Sequence, residues 1–318
     1  MTRFLHVNAA ATEAELAKAL SVLEGLGWAT QPIDAAQKTV LAGLNGPEIG
    51  RISTAADHPD GLAPDACAIL IALGQMAVEQ SLCNSVPSGH TVDKVVVGFN
   101  WTLVRAGALC GIARSPARGT EGARTIRPAA GFSGMDLRDL AANLVSTDPL
   151  ERSVGLAAVN CFWNRPDVPD AAQPYLAERG GLASIEAPGE GAIIVGGFRG
   201  ALKRLPQARI VEREPKPGDI PVGDAPAAYK NANTLAITAQ TLMNGSLAPV
   251  LRASDMVPHR ILVGPSCPAC PILFDHGIDE LFGAVIKDPD AAERFILETG
   301  TMIMLDHIAT NRTLRAKT

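Results

Sequence analysis

TLAITAQTLMNGS (234–246), LAPVLRAS (247–254) and HRILVGPSCPACPILF (259–274) form the stretch around which the chain is organised. Two short apolar runs, Leu235–Thr238 and Ile261–Val263, each end in small, polar or turn residues. That is the pattern of buried parallel strands whose C-terminal ends open into loops. Between them LAPVLRAS reads as a helix. In an open α/β sheet the loops beyond the strand ends form the ligand crevice. Here they carry Thr238, Gln240, Thr241 and Asn244 on one side, and Gly264, Pro265, Ser266, Cys267 and Cys270 on the other.

The same alternation extends both ways from this stretch. Ala192–Val195 and Ala208–Glu212 read as earlier strands, Ala284–Ile286 as a later one, and Pro289–Glu298 as a helix. Strand–helix alternation of this kind predicts a doubly wound parallel sheet. Four prolines at positions 166, 169, 174 and 188 mark a linker before it, which puts a boundary near 165–185.

Upstream of the linker the signals change. Val95, Val97, Phe99, Trp101 and Leu103 alternate with their neighbours, so 95–104 is expected as one strand. Arg105-Ala106-Gly107 is expected as a hairpin turn, with a strand returning over 108–113. Asn100 and Trp101 are the notable polar and aromatic residues here, and the plainer reading of Trp101 is a core anchor. Residues 115–131 read as a loop and 136–145 as a helix. Asp148-Pro149-Leu150-Glu151 opens a further helix with an Asp cap, Pro in the first turn and an early acid. Its Gly155, Ala157 and Ala158 permit close packing on a neighbour. A helix is also expected near 65–83. At the start, Arg3–Val7 reads as a strand and Thr12-x-x-Glu15 as the capping box of a helix that Gly27 ends. The Gly-, Pro- and Asp-rich run 31–62 carries no chemical motif.

Composition narrows the function classes. The chain has 318 residues, 47% hydrophobic and 19% charged, which suits a globular protein of about two domains. Aromatics are only 4%, so the cores rest on Ala, Val, Leu and Ile. A net charge of -5 argues against a general nucleic-acid surface. No apolar run approaches the roughly 18–20 residues of a membrane span. The first residues lack the apolar core of a signal peptide, so the expected location is cytoplasmic. Most of the six cysteines are expected as small buried hydrophobes.

Three constellations bear on chemistry. Gly196-Gly197-Phe198 follows a strand, and Glu212 ends the next one. That is the layout of a Rossmann-like nucleotide or adenosyl site, although the full G-x-G-x-x-G is absent. Glu212 could equally pair with Arg213 or Lys216. Cys267-Pro268-Ala269-Cys270 has the spacing of a metal or redox pair. A structural zinc site needs four protein ligands, no second C-x-x-C exists, and the alternative is two cysteines lining a ligand pocket. His276, in Asp275-His276, invites an acid–base or metal role, against a plain structural histidine.

Taken together, ERSVGLAAVN (151–160), IIVGGF (193–198), VEREPKPGDIP (211–221), ITAQTLMNGSL (237–247) and LVGPSCPACPILFDHGID (262–279) resemble the putative heavy-metal chelation family. VGFNWTLV (97–104) fits the domain that precedes these motifs in that family. The resemblance implies an α/β protein, with an α+β enolase-N-terminal-like domain at 66–165 and a Rossmann-like parallel-sheet domain at 166–318; residues 1–65 lie outside it and read as an N-terminal extension. It implies a small-molecule ligand or metal complex as partner, held between the domains. The ligand would meet Gly196, Gly197, Phe198, Thr238, Thr241, Asn244, Gly264, Pro265 and Ser266, with Glu151, Arg152 and Asn160 reaching in and Glu212 serving a nucleotide. A transition metal ion is the candidate cofactor, with Cys267, Cys270 and His276 as candidate ligands. The two cysteines depart from the Ser/Thr-Pro turn common in the family. No membrane or nucleic-acid partner is expected, and a homo-oligomer is left open.

Overall fold

The computed structural model describes residues 28–34, 39–44, 48–52, 77–116, 131–146, 148–166, 175–176, 180–300 and 302–316. The expected strand at 3–7, the helix after Thr12 and the loop interior 117–130 lie outside them. In the run that carried no motif, β1 (Trp28–Asp34), β2 (Thr39–Leu44) and β3 (Glu48–Ile52) form an antiparallel sheet in chain order. The helix expected near 65–83 is described over α1 (Ala77–Asn84).

A second three-stranded antiparallel sheet holds β4 (Lys94–Val97), β5 (Trp101–Ala106) and β6 (Leu109–Arg114). The run 95–104 is therefore two strands rather than one. Val97 pairs with Thr102, and the Gly98 amide donates to the Trp101 carbonyl at 2.9 Å. Gly98, Phe99 and Asn100 make the turn, and a period of two simply resumes on the other side of it. The next turn sits at Gly107-Ala108, one position later than expected, where Gly107 has a φ of 60° that favours glycine.

α2 (Leu137–Ala141) continues as a 3-10 turn through Val145. α3 (Pro149–Trp163) begins as its sequence demands: the Asp148 side chain accepts from the Leu150 and Glu151 amides. Residues 152–163 are buried throughout, so α3 is a central helix covered on every face. Glycine sets how closely it is approached. A Cβ at Gly111 on β6 would stand 2.0 Å from the Cys161 nitrogen, and one at Gly155 would stand 2.1 Å from the Leu144 nitrogen.

The large sheet takes β7 (Tyr175–Leu176), β8 (Ala192–Val195), β9 (Arg209–Glu212), β10 (Ile220–Pro221), β11 (Thr234–Thr238), β12 (His259–Val263), β13 (Glu280–Ile286) and β14 (Ala309–Arg315). Their order is β10-β9-β8-β11-β12-β13-β14-β7. The pairs from β10 to β13 are parallel, and β14 and β7 close one side antiparallel. The protein is thus α/β, with a mostly parallel sheet and smaller antiparallel ones. Leu235, Ala236, Ile237, Ile261 and Leu262 are fully buried in the middle strands. Burying each large apolar side chain contributes about 1.5–3 kcal/mol. The helices α4 (Ala225–Tyr229), α5 (Gln240–Met243), α6 (Leu247–Ala253), α7 (Ile272–Asp275) and α8 (Pro289–Leu297) join or flank these strands. Among the described residues no helix is long and apolar enough to cross a membrane.

Candidate functional site

The chain runs outward from β8 through β9 to β10, then returns to the other side of β8 and runs through β11 to β13. The strand order therefore reverses between β8 and β11, and such switch points leave a crevice beyond the carboxyl ends of the strands. A cleft of ≈ 390 Å³ lies there. Phe198 follows β8, Thr238, Ala239 and Gln240 follow or end β11, and Gly264, Pro265 and Ser266 follow β12. The small sheet supplies the opposite wall through Asn100, Trp101 and Arg114.

Backbone conformation shapes the floor. Gly196 has φ 108°, and a Cβ there would press 2.8 Å from the Thr238 Cγ2. Gly264 has φ 133°, where any side chain is strained. β8 and β12, the two neighbours of β11, can thus both turn sharply at their ends.

Hydrogen bonds tie the two walls together. The Arg114 amide donates to the Ser266 Oγ at 2.9 Å. Asn160 donates from Nδ2 to the carbonyls of Ile112 at 2.7 Å and Ser266 at 3.0 Å, joining β6 to the loop after β12. One helical turn later Asn164 donates to the Cys267 carbonyl at 2.9 Å and accepts from the Ala269 amide at 2.7 Å. On the other side Ser153 donates to the Thr102 Oγ1 at 2.7 Å.

Arg152 and Glu79 form a buried ion pair at 3.1 Å. Arg152 also donates from Nε to the Met243 carbonyl at 2.7 Å, from its guanidinium to the Leu242 carbonyl, and to the Ser146 carbonyl at 3.2 Å. Its role is to fasten the end of α5, directly behind the cleft, to α3. Burial pushes the Glu79 carboxyl up, partly offset by the Arg152 charge.

The residues named from the sequence fall into two groups. Phe198, Thr238, Gly264, Pro265 and Ser266 line the cleft, and Gly196 and Gly197 lie in the turn that leads to Phe198. Others stand behind it. The Thr241 hydroxyl donates to the Thr238 carbonyl at 2.7 Å, and Asn244 accepts from the Ser246 amide at 3.0 Å, so both close turns rather than face the cleft. Glu151 accepts from the Ser146 hydroxyl at 2.5 Å in the first turn of α3. Arg152 and Asn160 act through main-chain carbonyls. Glu212 ends β9, its Oε1 3.3 Å from where a Cβ on Gly197 would sit. Arg114 and Ala239 were not singled out by the sequence. The available signal for Arg114 was its pairing with Trp101 across the hairpin, which needs the register of β5 and β6.

The cysteine pair and His276 lie apart from the cleft lining. Cys267 and Cys270 are fully buried in the apolar core and do not line the cleft. Burial pushes both thiols up, Cys270 to about 11. The Cys270 Sγ lies 3.4 Å from the Ser85 hydroxyl, and the His276 Nε2 is 2.9 Å from the Ser81 hydroxyl. The loop does follow a strand end, but its small side chains turn inward because apolar burial outweighs exposure of a thiol. Among the described residues no three His, Cys, Asp or Glu side chains come together to hold a metal ion. Among the described residues the cleft lining contains no carboxylate, imidazole or thiol. These residues do not fit a metal ion bound directly by the protein.

Residues 183–314 match the family model DUF364 and residues 80–162 match DUF4213, both described as "Putative heavy-metal chelation". Both matched segments belong to the putative heavy-metal chelation family. A DUF364 protein of unknown function from Desulfitobacterium hafniense DCB-2 is 26% identical with a TM-score of 0.66, over 76% of this chain and 98% of that one. Another DUF364 protein of unknown function, from Pyrococcus horikoshii, shares the fold at 12% identity and a TM-score of 0.60, over 76% of this chain and 99% of that one. No curated protein matches the chain. The two family models meet across α3 and the loop after β12: Asn160 lies in one matched segment and Ser266 in the other.

Proposed function

We propose that the cleft binds or processes a small metal-chelating metabolite, or the complex of that metabolite with its metal. The observation that carries this is the lining. The cleft sits at the topological switch point, has two walls, and offers hydrogen-bond donors but, among the described residues, no carboxylate, imidazole or thiol to hold a metal. A metal would therefore enter with its chelator, as cargo. We take residues 66–165 as an enolase-N-terminal-like domain and 166–318 as a Rossmann-like domain, with the cleft between them. Elemental analysis of the full chain, before and after small molecules are stripped from it, tests this. Metal and an organic molecule should leave together. Metal that remains after the organic molecule is gone would point to a protein-held site.

A second reading has its own support. The Glu212 carboxylate at the end of β9, close against Gly197, stands where a Rossmann-like site would meet a ribose. In that case the protein is an enzyme with a nucleotide or adenosyl cofactor. A thermal-shift panel of nucleotides and adenosyl compounds separates the two, because only this reading predicts stabilisation that Glu212→Ala abolishes. A chelate-binding accessory role without turnover shares the first reading's binding data and differs only in the absence of product.

A further inference from the structure

Arg114 differs from the arginines that the fold pairs with acids. Arg105, Arg152, Arg199 and Arg315 each meet a carboxylate, at 2.6, 3.1, 2.6 and 2.8 Å. Arg114 meets none among the described residues. Its guanidinium carbon instead lies 5.4 Å from the centroid of the Trp101 ring, its cross-strand neighbour. Trp101 is buried, so the surface under the guanidinium is fixed. Stacking on an indole is favourable for a guanidinium and leaves its forked donors free in plane.

The rest of the cleft agrees in sign. Among the described residues of the lining, Arg114 carries the one formal charge. The Ser266 Oγ accepts from the Arg114 amide, and no acceptor for its own hydrogen occurs among the described residues. The Thr238 Oγ1 accepts from the Gln240 amide at 3.4 Å and is in the same position. Burial also holds the Arg114 pKa below the ordinary guanidinium value, the mark of a cation that has lost water without gaining a counter-ion. Apart from the amides of Asn100 and Gln240, the remaining described lining is apolar, led by Trp101, Phe198, Ala239 and Pro265.

We propose that the cleft recognises its ligand through an oxyanion, a carboxylate or a phosphate, carried on an apolar body, with the Arg114 guanidinium as the anchor and the Ser266 hydroxyl as a second donor. This rests on the cleft being the binding site and adds the chemical class of what it takes. Arg pairs with either oxyanion through two parallel N–H donors, a geometry that Lys does not supply.

The test uses benzoate, phenyl phosphate and the neutral isostere benzamide, titrated against the full chain by ligand-observed NMR. At least one oxyanion should bind at least about tenfold tighter than benzamide, the scale of a charge-assisted hydrogen bond. The tighter of benzoate and phenyl phosphate identifies which oxyanion is preferred. Arg114→Gln should erase the gap, and Arg114→Lys should retain part of it, with melting temperature recorded for each. Equal binding of benzamide and both oxyanions to the unaltered protein would overturn the anion proposal while leaving the cleft reading standing. That comparison needs no variant, so it decides even if Arg114→Gln does not fold. A gap that survives in folded Arg114→Gln would also overturn the assignment. If none of the three probes binds the unaltered protein, the cleft reading falls with the proposal.

Discussion

The Arg114 main-chain amide donates to the Ser266 hydroxyl at 2.9 Å, so one residue of each wall of the cleft holds the other in place. Ser266→Ala removes that acceptor and leaves a part-buried amide without a partner. The expected cost is about 1–3 kcal/mol, read from chemical denaturation. A variant as stable as the parent would mean that the two walls are held elsewhere.

Arg152→Met should destabilise much more. It strands the Glu79 carboxylate, which is fully buried, and frees the carbonyls of Leu242 and Met243. Breaking one side of a buried pair costs about 3–5 kcal/mol. The paired change Glu79→Leu with Arg152→Met should recover a large part of that loss. Denaturation of both variants checks it, and no recovery in the double variant would show that the carbonyl contacts dominate.

His276 links stability to pH. Burial lowers its pKa from 6.5, with Asp275 opposing, and its Nε2 meets the Ser81 hydroxyl. The unfolded chain therefore binds more protons than the folded one between the folded value and 6.5. Stability is fully present above that window and is lost as pH falls through it. Thermal melts from pH 8 to pH 5 should show this slope, and His276→Gln should flatten it.

Cys267 and Cys270 should resist a thiol reagent at pH 8 in the folded protein and react fully once it is denatured. Both are fully buried, and the Cys270 thiol is pushed up to about 11. Cys267→Ala with Cys270→Ala should leave metal content unchanged. Rapid labelling of either residue in the folded state would reopen a metal or redox role for the loop.

The middle of the fold is legible in the sequence because it obeys local rules. The parallel strands at 192–195, 209–212, 234–238 and 259–263 are short apolar runs that end in turn residues, and α3 opens on an Asp cap followed by Pro. What escaped depends on distant partners. β14, ATNRTLR, mixes polar and apolar residues and is a strand because β13 pairs with it over seven positions. β10 and β7 are two residues each, too short to leave a periodic signal. The turn at 98–100 is hidden because both strands keep the same alternation. The site divides in the same way. Strand-end residues such as Thr238, Gly264 and Ser266 are visible from their position, whereas Arg114 enters only through its cross-strand neighbour. The direction of the Cys267–Cys270 side chains is set by the core they pack into, which spacing does not encode.

The central claim is that the cleft beyond β8, β11 and β12 takes a small molecule. Gln240 is exposed at its edge, so Gln240→Trp should obstruct the cleft without disturbing the fold. Native mass spectrometry of the full chain, incubated with a small-molecule extract of the cells that express it, is the most direct test. The account predicts a discrete mass adduct on the parent protein that disappears from Gln240→Trp at an unchanged melting temperature. An adduct that persists on the variant, or a parent that takes up nothing, would contradict it.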